Sequence, residues 1–327
     1  MARSGSQVKS GKAFEFALAN EYYKYVLSRG LQVQIVEDDK FQIARNYYHS
    51  FSSAEQMLYD LSAKASIPTI IKLEPGILSE QNESDVLNIR LAGDSEGESG
   101  DVRDVIFSRP LSGWEIGFSA KNNNDAVKHS RLSMKIDFGK KWLGYNVSPS
   151  YWTEIKPIFE ELERYRAEDR NWEDMGVAKF TDVYIPILKA FMNELLNLNS
   201  KHHDVPQKLV QYLIGDKPFY KIIKDDASHI IIVKAFNIDG GLNQQVNGVR
   251  PRYKTKEVEM PSRIVEIDFM SKNSVKNDNT LDLIMDGGWE ISFRIHNAST
   301  VVEPSLKFDV RLLGNPPVLF TQYIFQE

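Results

Sequence analysis

The chain has 327 residues, no cysteine and a formal net charge of −5 at pH 7. The lack of cysteine excludes disulfides, thiolate metal sites and cysteine nucleophiles, and it is typical of a reducing cytoplasm. Hydrophobic residues make up 42% of the chain, but the most apolar segment, Ile230–Phe236, is far shorter than the roughly 20 residues of a membrane helix. We therefore expect a soluble cytoplasmic protein with no membrane partner.

The front half of the chain alternates between helical and strand-like patterns. A helix is predicted over residues 11–28, and a second over Ser53–Ala65, with Ser53 as its cap and Pro68 beyond its end. A small, acidic loop is expected at 93–100. Two strands should follow, at Val102–Ser108 and Trp114–Lys121. Three further helices are predicted before a connection at 201–206, over residues 124–132, 150–166 and 183–198.

After about residue 216 the pattern changes to short strand-like runs separated by glycine- and asparagine-rich turns. The predicted strands are Phe219–Ile223, His229–Phe236, Ile264–Phe269, Leu281–Met285, Trp289–His296, Leu306–Leu312 and Leu319–Phe325. The expected fold class is therefore α/β (α+β) in two regions. Residues 1–215 should form an α/β core with helical elaboration, and residues 216–327 a β-rich region.

Polar residues cluster around the two strands of the front half. Asp104 lies near the start of the first strand, and Glu115, Ser119 and Lys121 share one face of the second, because side chains alternate along a strand. An aspartate beside a lysine of the neighbouring strand forms a compact polar site. Carboxylates suit Mg²⁺, which lowers the pKa of a bound water, and lysine neutralises developing charge. The pattern indicates metal-assisted hydrolysis of a phosphodiester.

This arrangement resembles the PD-(D/E)XK nuclease fold, in which an acidic residue is followed, on the next strand, by an acid-X-lysine triplet. The triplet here is Ser119-Ala120-Lys121, so the second acid is missing from its usual place. The resemblance implies a core with a mixed sheet flanked by helices.

Longer stretches extend the pattern in order from about residue 11 to about residue 313. They are GKAFE at 11–15, GDVRDV at 100–105, GWEIGFSAK at 113–121, DAVKHSRLS at 125–133, IDFGKKW at 136–142, DGGWEISFRIHNAS at 286–299 and VEPSLKFD at 302–309. Together they resemble the HaeIII family of restriction endonucleases. The resemblance implies Mg²⁺-dependent cleavage of double-stranded DNA at GGCC, and a cognate methyltransferase that protects the same site.

Two aspartates compete for the role of metal ligand. We prefer Asp104 to Asp101, because a strand begins at Asp104. Glu115 shares the strand face but lies about 13 Å from the position of the missing acid, too far to ligate the same ion. Three other carboxylates are candidates for the missing second acid: Asp125, Asp137 and Glu15. Each could instead cap a helix or lie on the surface.

Basic and polar residues after the lysine are expected to contact DNA. Lys128, His129 and Arg131 follow on a predicted helix, where contacts to phosphate would position the duplex. His129 has the alternative roles of a base or a structural histidine.

A second group of residues, Arg294, His296 and Asn297, ends a strand of the back half. Arginine bonds a guanine edge in the major groove, and asparagine also bonds base edges. We therefore expect the back half to supply much of the sequence recognition. The alternative for Arg294 is a structural pair with Glu303 or Asp309.

Two other functions stay open on the sequence. One is a nonspecific or repair nuclease of the same fold, and the other is a DNA-binding module without catalysis. A palindromic target suits a two-fold homodimer on DNA, although the sequence leaves the oligomeric state open.

Overall fold

The computed structural model describes residues 2–93, 100–123, 126–270, 279–314 and 316–325. The chain forms two compact units. The seven-stranded unit comprises Ala2–Asp125, Gly215–Val258 and Val318–Glu327, and the five-stranded unit comprises Ala126–Ile214 and Glu259–Pro317. A boundary between two regions was expected near residue 215, and the chain does pass from one unit to the other at Ile214–Gly215. Residues after that point, however, contribute segments to both units.

Within the described residues, the two units contain six helices and twelve strands. The helices are α1 (Ala2–Ser28), α2 (Asp39–His49), α3 (Ser53–Leu73), α4 (Pro149–Ala167), α5 (Ile185–Lys201) and α6 (Val205–Ile214). The strands are β1 (Val33–Ile35), β2 (Leu87–Leu91), β3 (Val105–Arg109), β4 (Trp114–Asn122), β5 (Ala126–Leu132), β6 (Phe219–Asp225), β7 (Ile230–Phe236), β8 (Ile264–Phe269), β9 (Thr280–Met285), β10 (Glu290–His296), β11 (Leu306–Gly314) and β12 (Phe320–Phe325).

The sheet of the seven-stranded unit is mixed, in the order β1-β2-β3-β4-β6-β7-β12. Strands β1 and β2 are parallel, as are β4 and β6, and the other pairs are antiparallel. Parallel neighbours need a long crossover connection, and between β4 and β6 the chain builds much of the five-stranded unit. The expected mixed sheet flanked by helices is confirmed.

Helix α1 packs its apolar face on the centre of this sheet. Phe14, Ala17 and Tyr22 have no exposed surface. The ring of Tyr22 lies 5.2 Å from that of Phe107 on β3 and 5.7 Å from that of Phe118 on β4. The helix therefore covers the two strands around which the polar residues were expected to cluster.

Helix α3 differs from its predicted bounds at both ends. Its cap is Ser52 rather than Ser53, because the Ser52 hydroxyl accepts the backbone N–H of Glu55 while the Glu55 carboxylate accepts that of Ser52. The helix also continues through Pro68 to Leu73. Burial of apolar residues beyond the proline offsets the lost backbone hydrogen bond.

The sheet of the five-stranded unit is antiparallel throughout, in the order β5-β11-β10-β9-β8. Aromatic rings of one sheet face pack against helix α5. The ring of Phe191 lies 5.4 Å from that of Phe293 and 5.2 Å from that of Phe308. The helices predicted at 150–166 and 183–198 are present as α4 and α5.

Two predictions in this unit were wrong. Residues 124–132 were expected to form a helix, but Ala126–Leu132 is strand β5, paired with β11. Ser130 and Leu132 are buried while Arg131 is exposed, which is the two-residue period of a half-buried strand. The connection expected at 201–206 is interrupted, because α6 already begins at Val205.

Candidate active site

Asp104 and Lys121 meet across the β3–β4 pair. Asp104 immediately precedes β3, and its backbone N–H donates to the carbonyl of Phe118 on β4 at 2.7 Å. Lys121 lies near the end of β4, and its Nζ is 3.1 Å from Oδ2 of Asp104. The two side chains are 26% and 24% exposed, so the ion pair remains accessible to a ligand.

Two further hydrogen bonds orient the Asp104 carboxylate. The Ser119 hydroxyl donates to its Oδ2 at 3.2 Å, and the backbone N–H of Ala120 donates to the same atom at 2.8 Å. The serine of the Ser-X-Lys triplet therefore contacts the aspartate. Among the described residues the hydrogen bonds to this carboxylate all end on Oδ2.

Glu15 brings a second carboxylate to this site from helix α1. Burial, followed by the negative charge of Asp104, raises the pKa of Glu15 to about 7, against the lowering effects of Lys12 and Lys121. The Nζ of Lys12 lies 2.9 Å from Oε2 of Glu15. The charges of Asp104 and Lys121 therefore both act on Glu15, while its hydrogen bond is to Lys12.

Asp101 and Glu115 are instead held by Arg103. The Arg103 guanidinium donates to Asp101 from Nε at 2.8 Å and from Nη2 at 2.7 Å, and to Glu115 from Nη1 at 2.8 Å. Burial alone would raise the pKa of Asp101, but the hydrogen bonds and charge of Arg103 outweigh it and lower the pKa to about 2. Asp101 and Arg103 are buried, whereas Glu115 is 45% exposed and holds Arg103 from the solvent side.

The sequence contains a signal for this ion-pair group outside the motifs described above, at Gly117. A Cβ atom at Gly117 would lie 2.0 Å from Cδ of Arg103. Only glycine at this position of β4 leaves room for the arginine side chain. A glycine inside a strand marks the close approach of another group, so Gly117 could have indicated that Arg103 crosses the strand here. Lys12, three positions before Glu15, was also missed.

The sequence offered two other acids for the metal site, Asp137 and Asp125. Asp137 caps a helical turn in the five-stranded unit, where its carboxylate accepts the backbone N–H of Lys140 at 2.8 Å and of Val147 at 3.3 Å. This is the capping role that the sequence left open. Asp125 lies outside the described residues.

The residues expected to contact DNA all lie in the five-stranded unit. Arg131 on β5 is half-exposed and donates to the hydroxyl of Ser305 at 3.3 Å, with Glu303 at 3.7 Å. The side chains of Lys128 and His129 lie outside the described part of the structure.

At the end of β10, Arg294 is half-exposed and donates to Asp309 at 3.2 Å, the pair that the sequence offered as its structural alternative. His296 contacts the carbonyl of Asn297 through Nδ1 at 3.0 Å. Asn297 accepts from Lys179 at 2.8 Å and donates to the carbonyl of Ser299 at 2.6 Å. The Asn297 side chain therefore uses both its oxygen and its nitrogen in hydrogen bonds within the protein, whereas Arg294 makes one ion pair.

Comparison with known proteins decides the family. Residues 11–316 match the family model of the HaeIII restriction endonuclease. The chain is also 39% identical, over 311 residues, to the type II restriction enzyme HaeIII of Haemophilus aegyptius, and the match covers 95% of each protein. The chain belongs to the HaeIII restriction endonuclease family. The predicted resemblance is thereby confirmed, and with it the prediction of a site-specific endonuclease that acts on DNA.

No solved structure matches this member of the HaeIII family. Restriction endonucleases of this type are generally metal-dependent. No helix in the part of the chain that the structure describes is both long enough and apolar enough to cross a bilayer.

Proposed function

We propose that the chain is a type II restriction endonuclease that hydrolyses both strands of duplex DNA at GGCC with Mg²⁺. The observation that carries the proposal is the Asp104–Lys121 pair beside Glu15, in a chain of the HaeIII family. The HaeIII name of the relative supports the target. A cognate methyltransferase that modifies the same site, a homodimer on the two-fold target and a cytoplasmic location complete the proposal.

The donor set around Asp104 fits a magnesium ion. Mg²⁺ is commonly bound by one or two carboxylates together with several waters, and Glu15 and Asp104 supply two. No larger cluster of acids, histidines or cysteines suited to a metal is found among the described residues. A cation between the two carboxylates would offset the repulsion that contributes to the raised pKa of Glu15. A bound magnesium ion would stabilise charge on the phosphate and acidify a water.

The side chains around Asp104 have separate roles in this proposal. Asp104 and Glu15 would hold the cation. The Lys121 ammonium, held by Asp104 at 3.1 Å, orients the attacking water and neutralises charge that develops on the phosphate. Ser119 and the Ala120 N–H keep the Asp104 carboxylate in one orientation. Asp101 and Glu115 stabilise the local fold through the buried Arg103 that they share.

The DNA contacts of the proposal come from the five-stranded unit. Arg131 and Arg294 are half-exposed there. We assign Arg131, with Lys128 and His129, to the phosphates, and Arg294, with His296 and Asn297, to the bases. The full bonding of Asn297 favours a supporting role for it, with Arg294 as the base contact.

Digestion of one mapped plasmid, with Mg²⁺ and with a chelator, tests this function. The proposal predicts discrete fragments that end at GGCC, formed only with the metal. Random fragments would indicate a nonspecific or repair nuclease, and the absence of metal-dependent cleavage would indicate a binding module. Either result contradicts the proposal.

A further inference from the structure

One face of the five-stranded sheet presents charged side chains from its central strands. Strands β10 and β11 are antiparallel neighbours, with Arg294 directly opposite Asp309. The alternate residues Phe293 and Phe308 have no exposed surface, because they belong to the opposite face, against α5. Arg294, Asp309 and Arg311 are therefore fixed on the outer face by the same alternation that builds the core.

A single carboxylate oxygen holds two arginines on this face. The Nη2 atoms of Arg294 and Arg311 each lie 3.2 Å from Oδ2 of Asp309. The Asp309 side chain is 7% exposed, whereas the arginines are 48% and 52% exposed. The carboxylate therefore fixes one edge of each guanidinium and leaves other N–H groups facing solvent, since arginine has five.

Charge is unevenly distributed over the same face. Arg131 on β5 pairs in register with Lys307 on β11. Burial, then the positive charge of Arg131, lowers the pKa of Lys307, so these cations crowd one another. On the other side, Asp268 of β8 lies opposite Asp282 of β9. A polyanion is therefore attracted to strands β5, β11 and β10 and repelled by β9 and β8.

We propose that Arg294 and Arg311 together bond the edges of two neighbouring guanines of the target, with Asp309 as the residue that positions both. The inference deepens the proposed function and rests on it. Neighbouring bases of one strand are about 3.4 Å apart along the helix axis, a separation that two guanidinium groups bonded to one oxygen atom can span. Arginine bonds guanine O6 and N7 in the major groove.

The carboxylate is the reason to assign these arginines to bases rather than to phosphates. A negative charge beside two arginines weakens their attraction to phosphate, so a surface that only holds the backbone would gain affinity without Asp309. Recognition of a base edge instead requires a guanidinium in a fixed orientation. Asp309 supplies that orientation. Lys307 on β11 and Arg131 on β5 lie on the same face as Arg294 and Arg311 and are suited to the neighbouring phosphates.

Equilibrium binding of the full chain to two short duplexes tests the inference. One duplex contains GGCC and the other has the same composition without it, and Ca²⁺ replaces Mg²⁺ to prevent cleavage. Arg311→Ala should reduce the preference for GGCC by about 5- to 150-fold, with a smaller change on the other duplex. Arg311→Lys, which keeps the charge but lacks the planar fork, should lose most of the preference while its nonspecific affinity remains.

Substitution of Asp309 should change the affinities for the two duplexes in opposite directions, which unfolding of the variant cannot do. Asp309→Asn should weaken binding to GGCC and strengthen binding to the other duplex, because it removes a negative charge beside the DNA. Lys307→Ala should weaken both alike, and Arg164→Ala, an exposed arginine paired with Glu161 on α4, should change neither.

Equal loss on both duplexes with Arg311→Ala, or none on either, would overturn the inference. So would an Asp309→Asn variant that weakens binding to both. A wild-type chain that does not distinguish the duplexes would contradict the proposed function itself, and that failure appears before any variant is measured.

Discussion

The Nζ of Lys121 lies 3.1 Å from Oδ2 of Asp104, although 17 positions separate the two residues in the chain. The β3–β4 hairpin produces this contact, because Val105 pairs with Phe118 and so places the start of one strand beside the end of the other. The same pairing places the Ala120 N–H and the Ser119 hydroxyl against the carboxylate. Each prediction on catalysis depends on this hairpin.

Asp104 and Asp101 should respond to substitution in opposite ways. Asp104→Asn should reduce Mg²⁺-dependent cleavage by orders of magnitude with little change in thermal stability, because Asp104 is partly exposed and its charge acts on Glu15. Asp101→Asn should instead destabilise the fold by about 3 kcal/mol, since it removes a partner of the buried Arg103. Cleavage rates and thermal melts of both variants make the comparison.

The comparison of the two variants also separates a loss of catalysis from a loss of folding. Asp101→Asn must be assayed well below its melting temperature, where we expect cleavage close to that of the wild type. If that folded variant were inactive while Asp104→Asn cleaved normally, the metal ligand would be Asp101 and our assignment would be wrong.

Glu15 predicts how cation binding depends on pH. Because burial and Asp104 raise its pKa to about 7, Glu15 is protonated below that pH and must lose its proton to ligate a cation. Affinity for Ca²⁺ should therefore rise with pH through about 7, by up to about tenfold per pH unit below it. Calorimetric titration of the DNA complex measures this affinity.

Glu15→Gln tests whether Glu15 is the group that causes this pH dependence. The variant should bind Ca²⁺ more weakly and lose most of the pH dependence between about pH 6 and about pH 8. A variant with the wild-type affinity and the wild-type slope would exclude Glu15 as a ligand.

The sequence predicted the central residues of the candidate site better than their supporting residues. Asp104 and Lys121 are predictable because a hairpin and strand alternation suffice to bring them together. Glu15 could be named only as one of three acids, because its approach depends on how α1 packs across the sheet. The arginine that joins Asp101 to Glu115 was missed, since no local pattern shows which side chain fills the space over Gly117.

The fold was predicted best where the pattern of apolar and polar residues was regular. Strands β6 to β12 appear close to their predicted bounds, and so do α4 and α5. Residues 124–132 were misassigned because alternating polar and apolar residues in a short segment also resemble one face of a helix. Their pairing with β11, far along the chain, decides the structure. The two units could not be predicted from a single boundary, because each joins distant segments.

Glu74 gives a prediction about stability that is independent of catalysis. Burial raises its pKa from 4.5 to about 7, against hydrogen bonds from Tyr220, Asn243 and Trp114. The folded chain therefore holds a proton that the unfolded chain releases between these values. The contribution to stability is complete below about pH 4.5 and is lost as the pH rises through about 7.

Thermal melts of the wild type and of Glu74→Gln across this range test the sign. The neutral amide cannot titrate, so the wild type should lose stability relative to the variant as the pH rises. Parallel curves for the two proteins would show that Glu74 keeps an ordinary pKa in the folded state.

The most direct test of the whole account is Lys121→Ala, measured for cleavage in Mg²⁺ and for site-specific binding in Ca²⁺. Lys156→Ala, a substitution of an exposed lysine on α4, is the matched control and should behave as the wild type in both assays. Because Lys121 acts on the water and the phosphate rather than on the base sequence, its variant should bind GGCC with nearly wild-type affinity and cleave it at least about a hundredfold more slowly. Cleavage by folded Lys121→Ala at a rate near that of the wild type would contradict the assignment of the active site.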